Sequence, residues 1–287
     1  MERIQSAIEK ARKSRAANTQ PRVAPPPEPA APSAAPQSRA ASRQPDDRRD
    51  VWKDVTLFEP RETVLRSHRI LAFEPGPDAV PYDMIRTKLL HQMRANKWSR
   101  VAITSPTSGS GKTMTCANLA FSIARQTDMF VMLVELDMRR PALAKALGLK
   151  DDCQFSRTLL GEDEPEKHLR RYGSNLIFAA NQNAERNPAE LLQGVTAAEV
   201  LDDLEKKYRP DIMIFDTAPL LANDDTIAFI DQVDCALLIA EAERSTIHEL
   251  DKCEQDLSAR TNVLGVMLNK CRYLSSHEDY GREYGYY

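Results

Sequence analysis

The run Ser105-Pro106-Thr107-Ser108-Gly109-Ser110-Gly111-Lys112-Thr113 follows an apolar stretch and opens an amphipathic one. Phosphate oxygens call for a concave row of backbone N–H groups at a helix N-terminus, with glycines that let the backbone approach. They also call for a lysine and, where Mg²⁺ takes part, a hydroxyl. Residues Ser108, Gly109, Ser110, Gly111, Lys112, Thr113 and Met114 are placed to form that cradle, with Lys112 on the β- and γ-phosphates and Thr113 on the metal. Pro106 stands where the strict pattern has its first glycine. Two further acidic positions end apolar runs: Asp137 after Phe130–Leu136, and Asp216 after Ile212–Phe215. Carboxylates at strand C-termini face the ligand crevice of an open α/β sheet, so Asp216 and Asp137 join Thr113 as candidate metal-side groups.

A hydroxyl acceptor for a transferred phosphoryl group is available at the other end of the chain. Five of the eight tyrosines, Tyr273, Tyr280, Tyr284, Tyr286 and Tyr287, fall in the last fifteen residues, among Gly, Glu, Ser and Arg. Those neighbours do not supply the apolar alternation of a packed strand, so a flexible tail displaying phenols is expected over 273–287.

The elements that must position these groups follow from hydrophobic patterning. Strands are expected at His68–Phe73, Val101–Thr104, Phe130–Glu135, Leu176–Ala179, Ile212–Phe215, Ala236–Ile239 and Val263–Leu268. Helices are expected around Tyr82–Ala95, Lys112–Arg125, Pro188–Lys207 and Thr246–Arg260. Alternation of the two implies right-handed crossovers and an α/β fold, a mainly parallel sheet with helices on both faces. No glycine precedes Gly76, and half of the 18 prolines lie in the first 60 residues. The Ala/Pro-rich run from Pro21 to Pro45 is too poor in large apolar groups to pack, so a linker is expected there. Ahead of it Met1, Ile4, Ala7, Ile8 and Ala11 recur at helical spacing among basic residues, as a short amphipathic helix would. The expected division is 1–55 helix and linker, 56–272 catalytic domain, and 273–287 tail.

Composition narrows the function classes. In 287 residues, 39 Lys+Arg face 42 Asp+Glu, a net charge of -3 that argues against a nucleic-acid coat. No stretch approaches the roughly 18 apolar residues of a spanning helix, and a cytoplasmic location is expected. The five cysteines (116, 153, 235, 253 and 271) are dispersed, which suits reduced thiols. The five histidines lack metal-ligand spacing.

From about Tyr82 to the C-terminus the sequence resembles the bacterial tyrosine autokinases (BY-kinases) of capsular and exopolysaccharide synthesis, relatives of the partition and division-site P-loop ATPases. The resemblance rests on the phosphate loop; on Glu135, Asp137 and Arg139 in place of an Asp-x-Asp-x-Arg Walker A′ strand; on Asp216, Thr217 and Pro219 as Walker B; and on the tyrosine tail. Asn187 to Leu192, Asp225 and Leu268-Asn269-Lys270 add to it. The resemblance implies an ATP- and Mg²⁺-dependent protein-tyrosine kinase of deviant Walker type. In it Asp137 takes the tyrosine proton, Glu135 is a second acid, Arg139 stabilises phosphate charge and Asn269 reads the adenine. It also implies a homo-oligomer in which one subunit's tail enters its neighbour's site, a separate membrane chain-length (co-polymerase) partner that recruits the chain to the inner face of the membrane, and a cognate phosphatase. Glu135 departs from the family's Asp, and of its Glu-x-x-Arg-x-x-Arg oligomerisation motif only Arg86 is matched. Two other readings stay open: a partition-type ATPase, disfavoured because Thr107 occupies the place of its signature lysine, and a nucleotide-binding regulatory scaffold of a polysaccharide-export complex.

Overall fold

A computed structural model of the chain describes residues 48–272. The expected N-terminal helix and linker and the tyrosine tail lie outside them. In chain order the elements are α1 (Arg48–Lys53), α2 (Glu62–Ser67), α3 (Val80–Asn96), β1 (Arg100–Thr104), α4 (Lys112–Ala124), β2 (Val131–Glu135), α5 (Leu143–Leu147), α6 (Phe155–Leu159) and α7 (Pro165–His168). There follow β3 (Leu169–Tyr172), β4 (Leu176–Ala179), α8 (Pro188–Gln193), α9 (Val195–Tyr208), β5 (Ile212–Asp216), α10 (Asp225–Phe229), β6 (Cys235–Glu241), α11 (Ile247–Ser258) and β7 (Asn262–Asn269).

The seven strands form one sheet in the order β3-β4-β2-β5-β1-β6-β7. Every pairing is parallel except β3 with β4. The central strands are continuously apolar because helices cover both faces. Their alternate side chains divide between two cores: Val101, Ile103, Val131, Leu133, Ile212 and Ile214 pack with α3 and α4, whereas Ala102, Met132, Val134, Met213 and Phe215 pack with α9 and α11. Helix α9 buries Ala197, Leu201, Leu204 and Tyr208, a stripe at helical spacing, and α11 opens on a capping box between Thr246 and Glu249.

Three expectations change. His68–Phe73 is not a strand. It is an irregular segment that buries Ile70 and Ala72 and is pinned by one side chain: Asn118 on α4 accepts from the Leu71 and Ala72 N–H groups at 2.7 and 2.9 Å and donates to the Arg69 carbonyl at 2.9 Å. A side-chain amide there satisfies backbone groups that a sheet ladder would otherwise have to pair. The helix expected over Pro188–Lys207 is two, broken where Gly194 turns extended (φ -64, ψ 139). Packed structure also begins upstream of residue 56. Trp52 is buried, sits edge-on to Phe130 at 4.9 Å, and donates Nε1–H to the Tyr208 carbonyl at 2.7 Å. Thr56–Phe58 then runs beside Arg171 on β3, with backbone bonds of 2.8 and 2.7 Å. No helix among the described residues is long and apolar enough to cross a membrane.

Candidate nucleotide site

The phosphate loop joins β1 to α4 at the C-terminal edge of the sheet, and its shape comes from short polar residues. The Ser105 and Ser110 hydroxyls both donate to the Thr107 carbonyl, at 2.7 and 2.9 Å, and Gly109 and Gly111 take φ of +88 and +90. A side chain at Gly111 would be strained at its left-handed φ and would displace the Asn269 amide from the loop. The loop is tied to the strand-end segment after β5: the Leu220 and Leu221 N–H groups donate to the Ser105 and Pro106 carbonyls at 2.8 and 3.1 Å. Pro106 thus serves through its carbonyl, and the missing glycine leaves this contact intact.

Lys112, the first residue of α4, is buried, with its Nζ 3.7 Å from Asp137 Oδ2. Asp216 ends β5 directly beside the end of β2, where Glu135 and Asp216 are register partners. The N–H groups of Leu136 and Asp137 both donate to the Asp216 carbonyl, at 2.8 and 3.0 Å, which fixes the turn carrying Asp137 over the crevice. The Asp216 side chain is fully buried, and among the described residues neither of its carboxylate oxygens has a hydrogen-bond partner of good geometry. Burial raises its pKa to about 6, with Lys112 and Thr113 alongside pulling it down. A buried orphan carboxylate is costly unless a cation completes it. Thr113 and Asp216, with Asp137 nearby, are a hard oxygen set that fits Mg²⁺ shared with phosphate oxygens. Among the described residues there is no group of three or more His, Cys, Asp or Glu side chains that could hold a metal by itself. Asp137 is raised above the usual carboxylate range, first by burial and against the pull of Lys112.

Two residues expected at the chemistry, and one matched to the oligomerisation motif, are committed elsewhere. Glu135 is fully buried and accepts three backbone N–H bonds, from Ala142 (2.6 Å), Leu143 (2.7 Å) and Asn181 (2.9 Å). Both its oxygens are thereby occupied in holding the turn before α5, and burial pushes its pKa up to about 8. The carboxylate that faces Lys112 is therefore Asp137. Arg139 forms a fork on buried Asp225 at 2.7 and 2.9 Å, so its charge is answered inside the protein. Arg86, the match to the oligomerisation motif, donates to Asp83, to the Ser122 carbonyl and to the Ser122 hydroxyl, joining α3 to α4. Asn269 stands at the site, its Nδ2 donating to the Ser110 carbonyl at 2.8 Å, and so brings the end of β7 against the loop. Sequence reasoning passed over Arg140 and Arg244, which approach the loop from two different turns and belong to no recognisable motif. The five tyrosines lie outside the described residues.

The chain was compared with known proteins. A sequence model of the family described as the CobQ/CobB/MinD/ParA nucleotide binding domain matches residues 101–282. The EpsB protein of Ralstonia nicotianae is 32% identical over 205 residues, 71% of this chain and 27% of that protein, so the chain spans about a quarter of its length. Tyrosine-protein kinase YwqD of Bacillus subtilis is 29% identical over 230 residues, covering 79% of this chain and 95% of that one. Among solved structures, the kinase domain of the Escherichia coli tyrosine kinase ETK superposes with a TM-score of 0.61 at 28% identity, over 67% of this chain and 74% of that one.

Proposed function

The chain belongs to the CobQ/CobB/MinD/ParA nucleotide binding domain family, and from that premise we propose that it is an ATP- and Mg²⁺-dependent protein-tyrosine kinase acting on its own C-terminal tyrosine cluster. The observation that carries the proposal is the convergence of the fully buried Asp216 carboxylate with Lys112, Thr113 and Asp137 at the mouth of a phosphate loop. The names of its relatives, tyrosine-protein kinases in Bacillus and Escherichia, support a tyrosine as the acceptor.

Phosphoryl transfer depends on positioning and on neutralising charge. The loop amides from Ser108 to Thr113 hold the phosphates, and Lys112 neutralises the β- and γ-oxygens. Thr113 and Asp216 would hold Mg²⁺, which would supply further positive charge to offset that of the phosphates. The acceptor phenol has an ordinary pKa of about 10. Asp137, whose raised pKa makes it a better proton acceptor than a surface carboxylate, takes the phenolic proton as the tyrosine oxygen bonds to the γ-phosphorus and the bond to ADP breaks. Because Asn269 anchors the end of β7 on Ser110, the sequence after Arg272 starts at the rim of this site. The acceptors are Tyr273, Tyr280, Tyr284, Tyr286 and Tyr287 of a neighbouring copy in a homo-oligomer. Each phosphate adds about 1.5 to 2 negative charges, enough to change how tails and partners associate. We further propose a location at the inner face of the membrane, with a co-polymerase partner of polysaccharide export and a cognate phosphatase. A nucleotide-binding regulatory scaffold is the second reading, favoured by the withdrawal of Arg139 onto Asp225.

The test is mass spectrometry of the C-terminal peptide from the protein isolated from its own host, wild type beside Lys112→Met. Phosphate on the tail tyrosines that disappears in the variant is the expected result. An unmodified tail in both, with Mg²⁺-ATP still bound by the purified wild type, moves the function to the scaffold.

A further inference from the structure

Two arginines flank the apex of the phosphate loop. Arg140, in the turn after β2, is exposed, holds its Nη1 3.5 Å from the Ser108 hydroxyl, and makes no ion pair among the described residues. Arg244, in the turn after β6, is also exposed, and its Nη1 lies 3.5 Å from where a Cβ on Gly109 would stand. Its counter-ion Glu241 is shared: it takes Arg244 at 3.3 Å and Lys270 at 3.0 Å, so one carboxylate answers two cations. Arg272 is matched by Glu243 at 3.6 Å and Arg139 by Asp225, and neither adds free charge. The loop apex therefore presents an exposed guanidinium on each of two sides, planar groups suited to carboxylates, neither of them held in a buried ion pair.

We propose that Arg140 and Arg244 select the acceptor by binding the acidic residues that precede its tyrosine, the occupant being residues 278–284 of the tail of a second copy of this chain. This rests on the kinase reading above. The complementarity is in the sequence: Glu278 and Asp279 stand immediately before Tyr280, and Glu283 immediately before Tyr284, whereas Tyr286 and Tyr287 have no acid within two residues. In an extended peptide the rise is about 3.3 Å per residue, so a carboxylate one position before the acceptor sits within side-chain reach of a guanidinium at the loop apex. The geometry makes Tyr280 and Tyr284 the preferred acceptors of the five.

The experiment uses the full chain with its five tail tyrosines changed to Phe as the enzyme. Two peptides spanning 276–287 serve as acceptors, one native and one with Glu278→Gln, Asp279→Asn and Glu283→Gln. At saturating Mg²⁺-ATP the neutral peptide is expected to show a KM raised about tenfold, the size of two or three exposed charge pairs, with the KM for ATP unchanged. Arg140→Gln together with Arg244→Gln raises the KM of the native peptide by the same factor and removes the discrimination, and the corresponding Lys variants recover part of it. Equal KM values for the two peptides overturn the inference, as does an arginine variant that raises the KM for ATP, which assigns the pair to the nucleotide. Binding of the fluorescently labelled peptides, followed by anisotropy, separates this inference from the function it rests on. Charge-dependent, arginine-dependent binding without any labelling removes the kinase and keeps the docking site; neither labelling nor binding removes both.

Discussion

Arg139 grips Asp225 through two nearly parallel N–H···O bonds of 2.7 and 2.9 Å, and Asp225 is fully buried while Arg139 keeps 39% of its side chain exposed. The pair joins the turn after β2, which carries Asp137, to the start of α10. It therefore acts on the site as a brace: the guanidinium fixes the Asp137 turn and is not itself free for phosphate.

The asymmetric burial predicts asymmetric costs. Arg139→Ala strands a buried carboxylate and is expected to lower stability by about 3 kcal/mol, whereas Asp225→Asn leaves a guanidinium that water can reach and costs about 1 kcal/mol. The double variant should resemble Asp225→Asn. Urea midpoints of the three proteins decide it, and equal losses for the two single variants would contradict a brace built on a buried acid.

Asp216→Asn separates stability from function. The folded pKa of about 6 lies above the ordinary Asp value of 3.8, so the group's contribution is present below pH 3.8 and is lost as the pH rises through 6. At pH 7 the ionised carboxylate is a liability in the metal-free protein, and the Asn variant is expected to be more stable by about 1–2 kcal/mol, with no gain at pH 4. In exchange, Mg²⁺-ATP is expected to raise the Tm of the wild type and not that of the variant. Calorimetry at both pH values with and without Mg²⁺-ATP tests this, and a variant still stabilised by Mg²⁺-ATP removes Asp216 from the metal site.

Glu135 carries a second pH dependence. Its folded pKa of about 8 is above the usual 4.5, so stability is fully present below pH 4.5 and falls as the pH rises through 8. In Glu135→Gln the amide NH₂ must face the Asn181 N–H, a donor against a donor, and the loss should be about 1–2 kcal/mol at pH 5. The Gln side chain does not ionise, whereas the wild type loses stability at about 1.4 kcal/mol per pH unit between the two pKa values, so the curves are expected to cross between pH 5 and 7 and the variant to be the more stable protein at pH 9. Denaturation at pH 5, 7 and 9 reads the crossing, and parallel curves contradict it.

Much of this site could be read from residue order alone, because a phosphate loop and strand-end carboxylates are local patterns. Lys112 follows its glycines directly, and Asp216 follows four apolar residues of the length and composition of a covered strand. The mistaken strand at His68–Phe73 had the right hydrophobicity, but what satisfies its backbone is Asn118, 46 residues from Ala72. The break at Gly194 was legible in principle, as a glycine inside a helical pattern. Glu135 and Arg139 were recognisable as acidic strand end and neighbouring base, yet their partners, Asn181 and Asp225, come from other strands' loops and leave no trace in local spacing. Arg140 and Arg244 are 104 positions apart, and only the sheet order brings them to one loop.

Trp52 gives the sharpest check on where the folded body starts. Its ring packs edge-on against Phe130 and Tyr208, and its Nε1–H···O bond to the Tyr208 carbonyl spans 156 residues of sequence. Trp52→Ala removes a fully buried aromatic and leaves that carbonyl short of a donor, so a loss of about 3–5 kcal/mol is expected. Trp52→Phe keeps most of the apolar contact and gives up the hydrogen bond, for a loss of about 1–2 kcal/mol. Removing residues 48–58 along with everything before them should lower the urea midpoint, relative to a chain that begins at Arg48, at least as far as Trp52→Ala does. If the longer truncation unfolds at the same midpoint as that chain, the segment from Arg48 to Phe58 is no part of the folded unit and the boundary returns to residue 56 or beyond.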